Sequence, residues 1–99
     1  MARAQQTASE TLAQKGLAQG VTSVLVDGND VLAVHAVCDW AFSRARQGRG
    51  PALIEALTYR IGAHTTADDP RRYQPAEEIA AWRARDPLPR FERYLSDRG

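Results

Sequence analysis

Two short apolar runs, separated by a longer stretch of helical periodicity, form the main hydrophobic pattern of this chain. The first run, V-T-S-V-L-V at residues 21–26, is rich in β-branched side chains, and the second, A-L-I-E-A-L-T-Y, covers residues 52–59. Between them, from residue 31 to residue 47, apolar side chains recur at steps of three and four, which predicts an amphipathic helix. A strand, a helix and a strand in this order predict two parallel strands joined by a right-handed crossover.

Helices are also predicted on both sides of this β-α-β unit. The sequence T-A-S-E at residues 7–10 fits a capping box and predicts a helix over residues 8–18. After the second strand, Pro75 can begin a helix that runs to about residue 84. The sequence D-P-L-P at residues 86–89 interrupts the pattern, and a last short helix is predicted over residues 89–95.

The fold class that these elements define is α/β, with one parallel β-α-β unit and C-terminal helices in a single partial domain over residues 1–99. The strands are apolar along nearly their whole length, as in sheets that are covered on both faces. Two strands do not complete such a sheet, and their edges would stay open. We therefore expect the chain to oligomerise or to be one part of a larger protein.

Composition and charge exclude several classes of partner. The chain is 43% apolar, which is typical of a globular protein, and its formal net charge of +1 creates no field that would attract nucleic acid or a membrane surface. Its arginines alternate with acidic residues instead of forming a basic face, which also argues against nucleic-acid binding. No apolar run approaches the length of a membrane span. Cys38, the single cysteine, allows no internal disulfide and favours a cytoplasmic location.

Carboxylates occur in two places that need an explanation. The sequence D-G-N-D at residues 27–30 carries two carboxylates and an amide, which are groups that a hard cation prefers. A turn followed by a helix N-cap accounts for every residue of the same segment, and this is the interpretation that we favour. Glu55 lies inside an apolar strand, where a carboxylate is expected to meet a partner group.

A long polar loop, R-I-G-A-H-T-T-A-D-D-P-R-R-Y at residues 60–73, follows the second strand and is called the candidate loop here. Ligands bind at the carboxyl ends of parallel strands in open α/β sheets, which favours a site at this place. His64 can transfer a proton near neutral pH, Arg60 can bind an anion, and the two aspartates can pair with the neighbouring arginines. Thr65 and Thr66 can donate to a phosphate or serve as caps. No second histidine lies nearby at metal-ligand spacing, so no metal site is predicted, and composition leaves a surface loop and a working site equally open.

Four segments carry a resemblance to a known family. They are V-D-G-N-D-V-L-A-V at 26–34, G-P-A-L-I-E-A-L-T-Y-R at 50–60, G-A-H-T-T-A-D-D-P at 62–70 and R-Y at 72–73. These segments resemble the alpha subunit of the thiamine-dependent, decarboxylating first component of 2-oxo acid dehydrogenase complexes, of which the pyruvate and branched-chain enzymes are the main members. The resemblance implies a doubly wound α/β fold that binds thiamine diphosphate at an interface between alpha and beta subunits.

For the candidate loop, the resemblance implies particular tasks. His64 matches a histidine that lies by the cofactor and transfers a proton during acylation of a lipoyl group. The resemblance also implies that Arg60, like His64, is a cofactor-binding residue. Thr65 stands where mitochondrial members carry a serine whose phosphorylation stops the enzyme. Gln74 departs from the family, since many members have an arginine after the tyrosine. The positions that order the loop and meet the lipoyl-bearing domain fall on Asp68, Asp69, Arg72 and Tyr73.

The resemblance also implies that the chain is a C-terminal portion of an alpha subunit. The family holds magnesium and the diphosphate with a G-D-G segment and a later pair of asparagines, neither of which this sequence contains. The complete enzyme would use thiamine diphosphate and magnesium, bind a beta subunit and a lipoyl-bearing acyltransferase, and oxidatively decarboxylate a small 2-oxo acid. The alternative is a non-catalytic interaction module that self-associates or docks on other subunits.

Because the metal-diphosphate segment is missing, we expect the isolated chain to be inactive and to bind no thiamine diphosphate in calorimetry with magnesium present. Tight, magnesium-dependent binding would contradict the assignment to a C-terminal portion.

Overall fold

The chain folds into two compact units in a computed structural model, which describes residues 3–99. The first unit ends at Leu57 and contains α1 (Arg3–Gln6), α2 (Ala13–Ala18), β1 (Thr22–Asp27), α3 (Val31–Arg46) and β2 (Ala52–Leu57). The second unit runs from Thr58 to Gly99 and contains a short 3₁₀ helix (Pro70–Arg72), α4 (Ala76–Arg83) and α5 (Pro87–Arg98). The α/β class is confirmed, while the doubly wound arrangement and the single partial domain stay predictions.

The two strands form a parallel two-stranded sheet, as predicted. Their register pairs Thr22 with Ala52 and Asp27 with Leu57, and one further bond runs from the Gly28 N–H to the Leu57 carbonyl over 2.8 Å. β2 ends two residues before the predicted boundary at residue 59. Asp27 and Leu57 form the last pair of the sheet, and β1 gives way to a turn after Asp27. The residues that follow Leu57 therefore lie outside the sheet.

Helices pack on both faces of this sheet. Side chains alternate between the faces along a strand, so Ser23 and Leu53 share one face while Thr22 lies on the other. On the first face, a Cβ added at Gly16 of α2 would lie 2.1 Å from the Ser23 Oγ and 2.9 Å from a Leu53 methyl carbon. On the second face, Arg44 of α3 donates to the Thr22 hydroxyl over 3.1 Å. Gly16, which weakens α2 as a helix, is therefore the residue that lets α2 approach the sheet.

Both ends of α3 are set by local signals. The Asp30 carboxylate is the N-cap and accepts from the Ala33 N–H over 3.0 Å. At the other end, Gly48 has a φ of +71°, and the N–H groups of Gly48 and Arg49 return to carbonyls of the last turn over 3.0 Å each. This is a Schellman motif, whose left-handed position glycine occupies without steric cost. The predicted extent of this helix is confirmed to within one residue.

The prediction of one helix over residues 8–18 is wrong in its first half, because within this range only α2 (Ala13–Ala18) is helical and α1 ends before it, at Gln6. The Thr7 hydroxyl accepts from the N–H of Ser9, two residues on, and not from the N–H of Glu10. The Glu10 carboxylate accepts from the Gln14 side chain over 3.3 Å. The capping box therefore does not form, and a local side-chain to main-chain hydrogen bond takes its place.

The N-terminus of α2 is capped from the sheet by Glu55. The Glu55 Oε2 accepts from the main-chain N–H of Ala13 over 2.8 Å, and Oε1 accepts from the Arg3 guanidinium over 2.9 Å. Burial acts to raise the pKa of Glu55, but the hydrogen bond from Ala13 and the contacts with Arg3 outweigh burial, so the pKa lies below its usual value. These contacts are the partners expected for a carboxylate in an apolar strand.

The last helix is longer than predicted at both ends. It begins at Pro87 because the Asp86 carboxylate, as N-cap, accepts from the Leu88 N–H over 2.9 Å. The N–H groups of a first helical turn have no partner within the helix, so Pro87 and Pro89 remove no helical hydrogen bond there. The sequence D-P-L-P therefore separates α4 from α5, as predicted, and its two prolines lie in the first turn of α5.

The buried core of the chain is small. Among residues 3–99, the buried apolar side chains are those of Ala13 and Val26, which are 6% and 7% exposed. On the α2 side of the sheet, Leu25, Leu53 and Leu57 remain 43%, 40% and 39% exposed. This agrees with the expectation that two strands do not complete a covered sheet. No helix within the described range is long and apolar enough to cross a membrane.

Replacing Glu55 with glutamine should lower the free energy of unfolding by about 2 kcal/mol at neutral pH, because the charge that strengthens both hydrogen bonds is lost. The folded-state pKa of Glu55 is lowered, so its stabilisation is complete above the unfolded pKa and disappears as the pH falls through the folded one. Urea unfolding followed by circular dichroism at neutral pH and at about pH 3 measures both effects.

Glu92→Gln is the matched control, since Glu92 is an exposed carboxylate on α5, and its effect should stay below about 0.5 kcal/mol. Equal losses in the two variants, or a Glu55→Gln effect that persists unchanged in acid, would contradict the cap.

Candidate functional site

The D-G-N-D segment, the first candidate, is a turn that leads into α3. The Asp27 Oδ1 accepts from the Asn29 N–H over 2.9 Å, and the Asp30 N–H donates to the Asp27 carbonyl over 3.1 Å. The Asp30 carboxylate caps α3, and Asn29 is buried. Within residues 3–99, no group of three or more side chains suited to a metal ion comes together. The interpretation of this segment as a turn with an N-cap is confirmed.

Two turns shape the candidate loop, which belongs to the second unit. The Asp68 N–H donates to the Thr65 carbonyl over 3.1 Å and closes the first turn. The Asp69 carboxylate caps the short 3₁₀ helix that begins at Pro70, and the Tyr73 N–H returns to the Pro70 carbonyl over 3.1 Å. A proline suits this first position because its φ is preset and its missing N–H is not needed.

The Asp68 carboxylate joins the two halves of the loop. Its Oδ2 accepts from the main-chain N–H of His64 over 2.8 Å and from the hydroxyl of Tyr73 over 2.5 Å. The hydrogen bond from His64 is the main cause that lowers the pKa of Asp68, and the bond from Tyr73 adds to it. The same hydroxyl contact raises the pKa of Tyr73. The charged form of Asp68 is therefore the form that orders the loop.

Asp69 makes a separate, local pair with Arg71. The Arg71 Nε donates to Asp69 Oδ1 over 2.8 Å, and Nη2 donates to Oδ2 over 3.2 Å, which is a two-pronged contact between guanidinium and carboxylate. The hydrogen bond from Arg71 lowers the pKa of Asp69 and raises that of Arg71. The Arg71 side chain is largely exposed, so this pair shapes the turn and contributes little to stability.

The two ends of the loop meet at its base. The Gln74 Nε2 donates to the Arg60 carbonyl over 2.6 Å. Tyr59 stacks on Trp82 of α4, with ring centroids 5.3 Å apart and ring planes within 7° of parallel. The Arg85 guanidinium lies 4.9 Å from the centroid of the same Trp82 ring. These contacts tie the start of the loop to the helix that follows it.

The structure brings some of the predicted site residues together and leaves others apart. His64 and Tyr73 share the carboxylate of Asp68, and Asp69 pairs with its neighbour Arg71. His64 is exposed and is held through its main chain. The remaining predicted residues are exposed and are Arg60, Thr65 and Arg72. An ordering role for the two aspartates and the tyrosine fits this geometry, while the roles toward a cofactor or partner stay predictions.

Gln74 and Tyr59 are the residues of this region that sequence reasoning missed. The sequence marks Gln74 as a departure from the family pattern and places Tyr59 at the end of a predicted strand. A side-chain amide that donates to a main-chain carbonyl 14 positions away leaves no pattern in the sequence. The sequence contains only a weak indication of the stacked pair, namely that aromatic residues occur just before the candidate loop, at Tyr59, and in the helix predicted after it, at Trp82.

The fold and loop define an α/β segment that carries an ordered loop with an exposed histidine. The chain belongs to the dehydrogenase E1 component family, whose model matches residues 1–99. It is 54% identical over 94 residues to the 3-methyl-2-oxobutanoate dehydrogenase subunit alpha of Mycobacterium tuberculosis, a match that covers 95% of this chain and 26% of that protein. It is 51% identical over 98 residues to the pyruvate dehydrogenase E1 component subunit alpha of Staphylococcus aureus, covering 98% of this chain and 26% of that protein.

The resemblance to alpha subunits of 2-oxo acid dehydrogenases is thereby confirmed. The chain spans about a quarter of the length of the curated relatives that it matches. The coverage gives the length of the match and not its position within these relatives, so the placement in the C-terminal portion of the subunit stays a prediction.

Replacing Asp68 with asparagine should loosen the candidate loop, because the charged acceptor of two hydrogen bonds is lost. We expect hydrogen exchange at the His64 amide to accelerate several-fold. The pKa of Asp68 is lowered in the folded state, so in the unaltered chain the loop should be ordered above the unfolded pKa and lose order as the pH falls through the folded one. Amide exchange measured by NMR over this range tests both expectations.

Asp69→Asn is the matched control for this experiment. It removes the adjacent carboxylate, which contacts Arg71 and not His64, and should leave protection of the His64 amide near its original value. Equal loss of protection in both variants would contradict the role given to Asp68.

Proposed function

We propose that this chain is a segment of the alpha subunit of a thiamine diphosphate-dependent 2-oxo acid dehydrogenase and that it contributes His64 to the active site. One observation carries the proposal. The loop that matches the family motif is ordered by Asp68 through main-chain and hydroxyl contacts, and the His64 side chain is left exposed.

The reaction proposed for the complete enzyme is oxidative decarboxylation of a small 2-oxo acid, followed by transfer of the acyl group to a lipoyl group. Thiamine diphosphate, when bound, supplies the electron sink for loss of carbon dioxide. Residues 3–99 do not fit the magnesium ion that accompanies that cofactor, because no cluster of metal-ligating side chains forms among them and D-G-N-D is used as a turn. The magnesium site would lie in other parts of the enzyme.

His64 is the residue of this chain that we assign to proton transfer. In acylation, one sulfur of the lipoyl disulfide takes the acyl group and the other leaves as a thiolate that needs a proton. An imidazole can deliver a proton at physiological pH. Because the His64 main chain is fixed by Asp68, the ring can be presented to the incoming lipoyl group with little further ordering.

The other loop residues support this task in different ways. Arg60 is exposed and carries a cation suited to the anionic cofactor. Arg72 is exposed and can meet the lipoyl-bearing domain of an acyltransferase, while Asp68, Asp69 and Tyr73 order the loop. Thr65 lies next to His64, and a phosphate there would block the site by its charge and bulk. The partners proposed for the whole subunit are its beta subunit and the lipoyl-bearing acyltransferase.

The second candidate function is that of an interaction module, which the exposed apolar surface of the first unit favours. Leu25, Leu53 and Leu57 lie on one face of the sheet and remain open, and both strands are edge strands. Sedimentation of the isolated chain tests this function. Self-association at micromolar concentration would support it, and a stable, well-folded monomer would contradict it.

Replacing His64 with glutamine, in the complete alpha subunit assembled with its beta subunit, should slow acyl transfer to a lipoyl domain by about a hundred-fold or more. Decarboxylation measured with an artificial electron acceptor, which needs no lipoyl domain, should fall much less. The two rates are measured on the same preparation by stopped-flow and steady-state assays.

His35→Gln provides the matched control, because His35 is exposed on α3 in the first unit and is assigned no task. Unchanged acyl transfer in the His64 variant, or an equal loss in both variants, would contradict the assignment.

A further inference from the structure

A side-chain hydrogen bond closes the base of the candidate loop. The Gln74 amide donates from Nε2 to the Arg60 carbonyl, and this contact joins two residues that are 14 positions apart. We call this contact the clasp. Gln74 is half-buried, and its Oε1 is enclosed. A half-buried amide with one atom committed to a main-chain acceptor has few other orientations, so the clasp is a defined contact and not a chance approach of two surface groups.

Both sides of the clasp are anchored on the same helix. Tyr59 precedes Arg60 and stacks on Trp82 of α4, and Gln74 precedes Pro75, which is the N-cap of α4. The Tyr59 hydroxyl is buried near Gln74 and Glu78, and burial together with the Glu78 carboxylate raises the pKa of this phenol. The loop therefore begins and ends on a common support within the second unit.

The clasp and the Asp68 contacts differ in their chemistry. An amide donor and a carbonyl acceptor carry no titrating group, whereas the contacts at the centre of the loop need the charged carboxylate of Asp68. The clasp should therefore persist when a change of pH, or a charged ligand, displaces the contacts of Asp68. The centre of the loop can open while its two ends stay together.

We propose that Gln74 is a positioning residue for His64. Its clasp confines motion to residues 61–73, so that the segment bearing His64 moves on a fixed base. Closing the ends in advance removes part of the entropy that a flexible segment would lose when it is ordered by a ligand. This inference deepens the proposed function and rests on it only for the task given to His64.

The direct test is hydrogen exchange on the full chain with Gln74→Met, which keeps the approximate size of the side chain and removes the N–H donor. Exchange in residues 61–73 should accelerate by about three- to ten-fold, the range that corresponds to one lost hydrogen bond. Exchange in α3 and α5 should stay unchanged. Gln6→Met is the matched control, since Gln6 is an exposed glutamine on α1, and it should leave exchange in residues 61–73 unaltered.

Three results would overturn the clasp. One is unchanged loop exchange in Gln74→Met. Another is acceleration over the whole of residues 58–99, which would make Gln74 a general stabilising residue of the second unit. The third is exchange in residues 58–99 of the unaltered chain as fast as in an unfolded peptide, because there would be no closed loop to hold.

A kinetic readout then separates positioning from stability in the assembled enzyme. Gln74→Met should lower kcat for acyl transfer to the lipoyl domain by about three- to ten-fold, with KM for the 2-oxo acid and the artificial-acceptor rate unchanged. A parallel fall in all three quantities would overturn the positioning role. Because the exchange measurement needs neither cofactor nor substrate, failure of the clasp and failure of the proposed function are distinguishable.

Discussion

The Asp68 carboxylate is the group on which the shape of the candidate loop depends. One oxygen accepts from the main-chain N–H of His64 and from the hydroxyl of Tyr73, so a single side chain joins residues on both sides of the turn. The charge of the acceptor strengthens both bonds, and they in turn lower its pKa. Since His64 is fixed through its main chain, its imidazole remains available for another molecule. A fixed main chain with a free imidazole suits the proton transfer that we propose for His64.

The same kind of contact recurs along the chain, where several carboxylates accept from main-chain N–H groups. Asp30 and Asp86 cap α3 and α5, Asp69 caps the short 3₁₀ helix, and Glu55 caps α2 from the neighbouring strand. Carboxylates used in this way are committed to the fold, which agrees with the absence of a metal-ligating cluster among residues 3–99. The loop adds a neutral contact, that of Gln74 with the Arg60 carbonyl, so its base and its centre respond differently to pH and to charged ligands.

Features of the fold that depend on neighbouring residues could be predicted from the sequence, whereas features that depend on contacts distant in sequence could not. The periodicity of α3, its Asp30 cap and its Gly48 end are local signals, and they predicted that helix to within one residue. The start of α2 depends on Glu55, which is 42 residues away, so a local capping box was inferred there wrongly. The sequence predicts that aspartates of the loop pair with neighbouring arginines, and Asp69 forms such a pair with Arg71. The contact of Asp68 with Tyr73 and the contact made by Gln74 depend on how the loop folds back, which residue types alone do not specify.

The central claim is that Asp68 acts through His64, and a double-mutant cycle tests it most directly. Acyl transfer to the lipoyl domain is measured for the assembled enzyme with Asp68→Asn, with His64→Gln and with both changes. If Asp68 works by placing His64, its substitution should slow acyl transfer when His64 is present and cost almost nothing more once His64 is replaced. Fully additive losses in the free energy of activation would show that the two residues act independently and would contradict the account.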